Sequence, residues 1–355
     1  ATLEEIRIND EAVSADTVQL RALSKVTLQG SVRDGEGRVW EGFSGTTDVS
    51  LFDADRYVVI NDPPKWINYT YRLQGGLLYR GKASIANGRF TVSFIVPKDI
   101  SYENNNGRLA MYFDNASVDG AGFFADLRVG GSDTSSVQDE TGPVIALYMD
   151  TRTFRPGDMV NSETTLLADL FDESGINTTG LGIGHNLEAW LDNGSTGIVL
   201  NDYYTGEVDS YQKGTVTYRF RGLEPGQHTL RLRAYDIFNN SSTAETWFTV
   251  AGSSDLTLAD VLNYPNPMRD ETSFTFRHNL GNPVNVDIKI YTLSGRQVRV
   301  LEARNIAERF VAVPWDGRDE DGDALSNGVY LYKVICRTVD GGMGSEVLGR
   351  LSLLR

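Results

Sequence analysis

The sequence predicts an all-β chain of three consecutive β-sandwich, immunoglobulin-like modules, and three observations carry that reading. Apolar and polar residues alternate with period two through most of the 355 residues, the mark of strands with one buried face. Gly, Asn, Asp and Pro interrupt the alternation at short intervals, as the turns of a sandwich require. Amphipathic helical patterning is almost absent. The one helical turn expected covers Leu256–Leu262, with Asp255 or Thr257 as N-cap and Pro265 ending it.

The first element the pattern defines sharply is Gly81–Pro97. Ala83 and Ile85 alternate with polar residues, Asn87-Gly88 turns the chain, and Phe90, Val92, Phe94 and Val96 alternate again. Asn-Gly favours a type I′ turn, which needs positive φ at both central residues. A hairpin is therefore expected, with Ile85 opposite Phe90 and Ala83 opposite Val92. Next comes a small, polar stretch, Gly130–Ser136, and Thr141-Gly142-Pro143 leads into an apolar strand at Val144–Tyr148. Thr215–Phe220, a Glu224-Pro225-Gly226 turn and the alternating run His228, Leu230, Leu232, Ala234 read as two further strands. Ala251-Gly252-Ser253-Ser254 marks a second boundary after Thr246–Val250. Val284–Ile290 and Val329–Cys336 supply the clearest late strands, the latter with both faces partly covered. The modules expected are 1–140, 141–252 and 253–355, the last two close to the roughly 100 residues of an immunoglobulin sandwich.

Composition narrows the function. Hydrophobic residues at 40% and charged residues at 23% are those of an ordinary globular chain. Lys+Arg 33 against Asp+Glu 48 leaves a net charge of -15, which repels phosphate backbones, so nucleic acid is not an expected partner. No apolar run approaches the roughly 18–20 residues that span a bilayer as a helix. The opening Ala-Thr-Leu-Glu-Glu has no basic region followed by an apolar one, so the numbering is expected to begin on a mature or excised chain. With Cys336 alone, an intrachain disulfide, a Cys-rich zinc site and a CxxC motif are excluded.

Few residues suggest chemistry. Cys336 lies in an alternating strand and reads as a packing cysteine. His228 and His278 share strand faces with apolar neighbours. His185, beside glycines in Gly182-Ile183-Gly184-His185, is the least easily dismissed, yet no nucleophile motif accompanies it. Asp316, Asp319, Asp321 and Asp323 are candidate calcium ligands. The EF-hand template fails there: with Asp319 as position one, Ala324 stands where Gly is needed and Tyr330 where Glu is needed. A solvated acidic turn is the preferred reading, and no catalytic residue or cofactor is expected.

The last hundred residues carry the most specific signal. Leu258 to Pro267 (ending Tyr264-Pro265-Asn266-Pro267), Thr272–Phe276, Val286–Tyr291, Leu293–Arg296, Trp315–Asp319 and Asn327–Val334 follow in order. This resembles the FlgD-like immunoglobulin module and the C-terminal sorting domains of type IX secretion cargo. Asp172–Asn177, Gly182–His185, Leu200–Tyr204 and Ala234–Ser242 are similar to the immunoglobulin-like region of PorU-like type IX sortases, relatives of the gingipain cysteine peptidases. Tyr79–Gly81, Asn87–Phe90, Phe94–Ile100 and Val129–Gly131 are similar to the segment just after catalysis in that family.

The resemblance implies a non-catalytic region at the outer-membrane cell surface. It would position a peptidase domain and dock it to a PorV-like outer-membrane barrel, with type IX cargo reached through the parent enzyme. It makes Tyr264, Pro265, Asn266, Pro267, Gly328, Val329 and Tyr330 the sorting or docking residues. The family's Cys–His catalytic unit has no counterpart here. The competing expectation is a secreted adhesin or carbohydrate-binding protein carrying a sorting domain.

Overall fold

Alternation becomes strand along nearly the whole chain. In the computed structural model, which describes residues 2–13, 18–62, 67–101, 104–133, 139–179, 184–192, 194–252 and 255–355, the described elements are strands and one short 3-10 turn at Asn201–Tyr203. The fold is all-β, as expected. Parts of the two expected boundaries (134–136 and 253–254), and Gly182-Ile183, lie outside the described residues. Gly130-Gly131-Ser132 is not linker but the end of the strand Asp119–Ser132. The chain forms two compact units, one of Ala1–Ala146, Ala168–Thr217 and Arg231–Ala244, the other of Leu147–Leu167, Tyr218–Leu230 and Glu245–Arg355.

In the first unit a four-stranded sheet runs in the order Glu11–Ala12, Thr2–Ile8, Lys25–Arg33, Arg89–Ile95. A five-stranded sheet runs Gln19–Ala22, Asp119–Ser132, Asn105–Asp114, Gly45–Phe52, Leu77–Ile85. Both contribute to one core, with Val32, Phe43, Val49, Ala83, Phe113 and Leu127 fully buried. Dry, interdigitated packing of two sheet faces is what defines a sandwich. Apart from it stands a two-stranded hairpin, Arg56–Asp62 and Ile67–Leu73. It leaves Val59, Ile60, Tyr69 and Tyr71 exposed.

The expected hairpin at Asn87-Gly88 is corrected. The turn itself forms: Asn87 has φ +51° and Gly88 φ +70°, and Ala86 and Arg89 exchange both backbone hydrogen bonds at 2.9 and 3.0 Å. Pairing stops there. Leu77–Ile85 pairs with Gly45–Phe52 in one sheet, and Arg89–Ile95 with Lys25–Arg33 in the other. Ala83 and Ile85 therefore enter the core from one sheet and Phe90 and Val92 from the other, rather than along one ladder. A corner buries both apolar faces, whereas a flat hairpin would place them side by side on one sheet. Gly88 is demanded twice, by its positive φ and by a Cβ that would come within 2.5 Å of the Trp40 carbonyl oxygen. Gly88→Ala should accordingly destabilise this unit by about 2 kcal/mol or more, read from urea unfolding.

Two more sheets follow in the middle of the chain. One orders Val144–Met149, Thr164–Phe171, Lys213–Phe220, Tyr204–Gly206, and the other Met159–Val160, Ser241–Val250, Gly226–Tyr235, Glu188–Leu191, Ile198–Val199. Leu230, Leu232 and Ala234 are buried as their alternation predicts.

In the second unit, Leu258–Tyr264, Thr272–His278 and Phe310–Trp315 form a three-stranded sheet. Gln297–Ile306, Val284–Thr292, Gly328–Thr338 and Gly344–Leu353 form a four-stranded one. Phe274, Phe276, Val286, Val334, Cys336, Leu351 and Leu353 fill the core between them. The helical turn expected at Leu256–Leu262 is a strand instead. It pairs with Thr272–His278 from Leu258↔His278 to Tyr264↔Ser273, with a register shift between Ala259 and Leu262 where Asp260 takes φ +53°. An irregularity of this kind breaks the period of two, and the broken period imitated a helical one.

Candidate functional site

The one cysteine and two of the three histidines are buried or paired away. Cys336 is fully buried, and burial pushes its thiol up to about 12, so it stays protonated at neutral pH. His278 is fully buried at the end of Thr272–His278, its Nε2 paired with the Glu308 carbonyl at 3.1 Å. Burial, with the Arg309 charge adding, lowers it to about 4. His228 pairs with the Glu224 carbonyl at 2.7 Å and stacks on Phe248. His185 is the exception. Its Nδ1 lies 2.7 Å from Asp99 Oδ2, Asp99 Oδ1 accepts from Asn239 Nδ2 at 2.9 Å, and the ring rests against Tyr235.

The carboxylates singled out at Asp316–Asp323 serve their own turn. Asp316 Oδ1 accepts the Arg318 N–H at 3.1 Å, and Asp319 Oδ1 accepts those of Asp321 and Asp323 at 3.1 and 2.9 Å. A different trio converges. Oxygens of Asp139, Asp172 and Asp236 lie within 4.8 Å of one another, the last two residues buried. Asp172 Oδ1 accepts from the Ser174 N–H and hydroxyl at 2.8 and 2.6 Å, and Asp236 from the Asn240 N–H and Nδ2, both at 2.7 Å. Burial, then the neighbouring negative charges, raises Asp236 to about 6, and burial raises Asp172 as well. Burial also pushes Asp139 upward most strongly, but donors on Thr141 and Ser174 outweigh it and hold that carboxyl below its ordinary range. Three carboxylate oxygens at this spacing suit a hard divalent cation such as calcium. Asp172 and Asp236 each cap a turn of their own, in Asp172-Glu173-Ser174-Gly175 and Asp236-Ile237-Phe238-Asn239-Asn240. Nothing local in either motif announces that the two turns meet.

The expected docking residues do come together, around one strand. Tyr264 ends its strand 76% exposed, and the Tyr264–Pro265 and Asn266–Pro267 peptide bonds are cis. Beneath it, Thr272 Oγ1 donates to the Pro265 carbonyl at 2.9 Å, and Asn263 Nδ2 donates to Thr272 Oγ1 at 3.2 Å. Asn266 reaches the strand Gly344–Leu353, donating to the Arg350 carbonyl at 3.1 Å and accepting the Ser352 N–H at 3.0 Å. On that strand's other side Gly328, Val329 and Tyr330 pair with Leu353, Ser352 and Leu351. The core face of Gly328–Thr338 is Tyr330, Tyr332, Val334 and Cys336, so Val329 points to solvent. Gly328 needs neither positive φ nor close approach, because a Cβ there finds its nearest neighbour at 4.0 Å.

Residues 265–338 match the FlgD Ig-like domain. The FlgD Ig-like module thus begins on the two cis prolines and ends at the close of Gly328–Thr338. Over 99% of its length the chain is similar, at 30% identity, to the crystal structure of dimeric latent PorU from Porphyromonas gingivalis. It covers 34% of that chain, with a TM-score of 0.46, and so spans about a third of that protein. Two other solved structures align far more loosely. A tetra-tandem repeat in the extending region of a large adhesion protein shares 12% identity, covering 94% of this chain and 82% of that one at a TM-score of 0.21. Escherichia coli alpha-2-macroglobulin activated by porcine elastase shares 10%, covering 98% and 32% at 0.20. No match was found among the curated proteins.

Proposed function

We propose that the chain is the non-catalytic, C-terminal β-sandwich region of a PorU-like type IX secretion sortase. Its sandwich modules position a gingipain-like cysteine peptidase domain, and its FlgD Ig-like module docks the protein to a PorV-like outer-membrane barrel at the cell surface. Type IX cargo is met through the peptidase domain, not through this region. The observation that carries the reading is the FlgD Ig-like match at 265–338, which spans the run of motifs from Pro265 to Val334 in order. The buried, protonated Cys336 and the buried, neutral His278 support a non-catalytic role. The docking surface is Tyr264 and Val329, exposed to either side of the terminal strand.

Deleting that strand would not test the proposal cleanly. Leu351 and Leu353 are core residues, so the module itself would unfold. Tyr264→Asp with Val329→Asp in the full-length parent avoids this, since both side chains are solvent-exposed. The variant is expected to lose surface display in fractionated cells while the 355-residue chain keeps its melting temperature. Normal display of the variant would overturn the docking surface.

A further inference from the structure

The four-stranded sheet of the second unit turns one face to its core and the other to solvent. Val286, Ile288, Tyr332, Val334 and Leu351 are among its core residues, so the side chains that alternate with them point outward. Across that outward face the register sets Lys289 directly opposite Lys333, and Asp287 directly opposite Glu302. Like charges opposed in this way are unfavourable unless a third group neutralises them. For the carboxylates that group is present: Arg304 Nη1 lies 2.6 Å from Asp287, and its Nη2 lies 3.0 Å from Glu302. For the lysines the compensation is half complete. Lys333 Nζ lies 2.6 Å from Glu346, while Lys289 has no ion-pair partner among the described residues. One rung along, the Arg350 guanidinium opposite Leu331 has none either.

We propose that this face is an interaction surface for an acidic protein, a carboxylate of which completes the Lys289–Lys333 pair as Arg304 completes Asp287 and Glu302. Charge selects the partner. Lys289, Arg304, Lys333, Arg337 and Arg350 outnumber Asp287, Glu302 and Glu346 on this face, in a chain whose net charge is -15. Each of those three carboxylates is already engaged by a cation of the same face. A locally cationic face on an acidic chain steers toward itself a partner that the rest of the surface repels. Val300 opposite Lys289, and Leu348 opposite Lys333 and 72% exposed, give the same rung apolar ends to bury.

This surface is defined by its own charges and does not rest on the secretion reading, which is tested by surface display. Its test is fluorescence anisotropy of a labelled polyglutamate peptide titrated with the purified 355-residue chain. Saturable binding that weakens as salt rises is expected. Lys289→Glu and Arg350→Glu should each weaken it about tenfold or more, whereas Glu346→Gln, which releases Lys333, should tighten it several-fold. Lys25→Glu makes the same charge change at an exposed lysine of the first unit and should leave binding unchanged. The melting temperature of each variant, read alongside, separates lost binding from lost folding. No saturable binding at low salt, or equal losses from Lys289→Glu and Lys25→Glu, overturns the proposal. So does stronger binding to phosphatidylglycerol vesicles than to polyglutamate, which would make the face a membrane surface.

Discussion

Arg309→Ala is expected to destabilise the second unit by about 3–5 kcal/mol, among the largest effects of any single substitution in the chain. Among the described residues Arg309 is the largest fully buried side chain. Its Nη2 lies 2.5 Å from Asp150 Oδ2, its Nη1 donates to the Met159 carbonyl at 3.0 Å, and its own carbonyl accepts the His278 N–H at 3.0 Å. Truncation leaves the Asp150 carboxylate without its counter-charge, the Met159 carbonyl without its donor, and a void where the guanidinium lay. Breaking one side of such a pair costs more than replacing both sides with apolar groups. Arg309→Met combined with Asp150→Asn should therefore recover much of the loss, since Asn tolerates the +60° φ of position 150 and keeps an acceptor for the Thr165 N–H. Urea unfolding of the three proteins checks this, and a single-variant loss below about 1 kcal/mol would mean that the pair holds nothing together.

The second large effect is a divergence of the two units with pH. His278, in the second unit, has a folded pKa of about 4, below its ordinary 6.5. Between those values the unfolded chain binds the extra proton, so stability falls as pH falls. Asp236, in the first unit, has a folded pKa of about 6, above its ordinary 3.8. There the folded chain holds the extra proton, so stability rises as pH falls. From pH 6.5 to 5 the second unit should lose about 2 kcal/mol and the first gain about 1 kcal/mol. Calorimetry across that window should show two transitions moving apart. Asp236→Asn should flatten the first and His278→Gln the second. Transitions that fall together, or a divergence that survives both substitutions, would contradict the assignment.

What could be read beforehand and what could not divides by the range of the interaction. Turn chemistry is local, so Asn87-Gly88 announced its positive φ values correctly. Which strand each arm then pairs with is decided by competition among segments dozens of residues away, and no local pattern encodes that. Burial of Cys336 followed from period two, because its strand neighbours declare the face. The irregularity at Asp260 changes the phase of the pattern without any composition signal, and it disguised a strand as a helical turn. The converging Asp139, Asp172 and Asp236 come from three separate turns, and Arg309 has an unremarkable local sequence. The run Tyr264-Pro265-Asn266-Pro267 was legible as a motif of the FlgD Ig-like domain. That Asn266 reaches across to Arg350 and Ser352 was not.

The strand that Asn266 grips is made after every other member of its sheet. Leu351 and Leu353 complete a core whose other walls, Phe274, Val286 and Tyr332, are translated well before them. Until those two residues emerge, the four-stranded sheet of the second unit lacks an outer member and its core lies open on that side. The module therefore carries a clock set by chain elongation: it stays loose until Leu351 and Leu353 emerge and tightens only then. Whatever handles the nascent protein meets an unclosed sandwich first and a closed one afterwards.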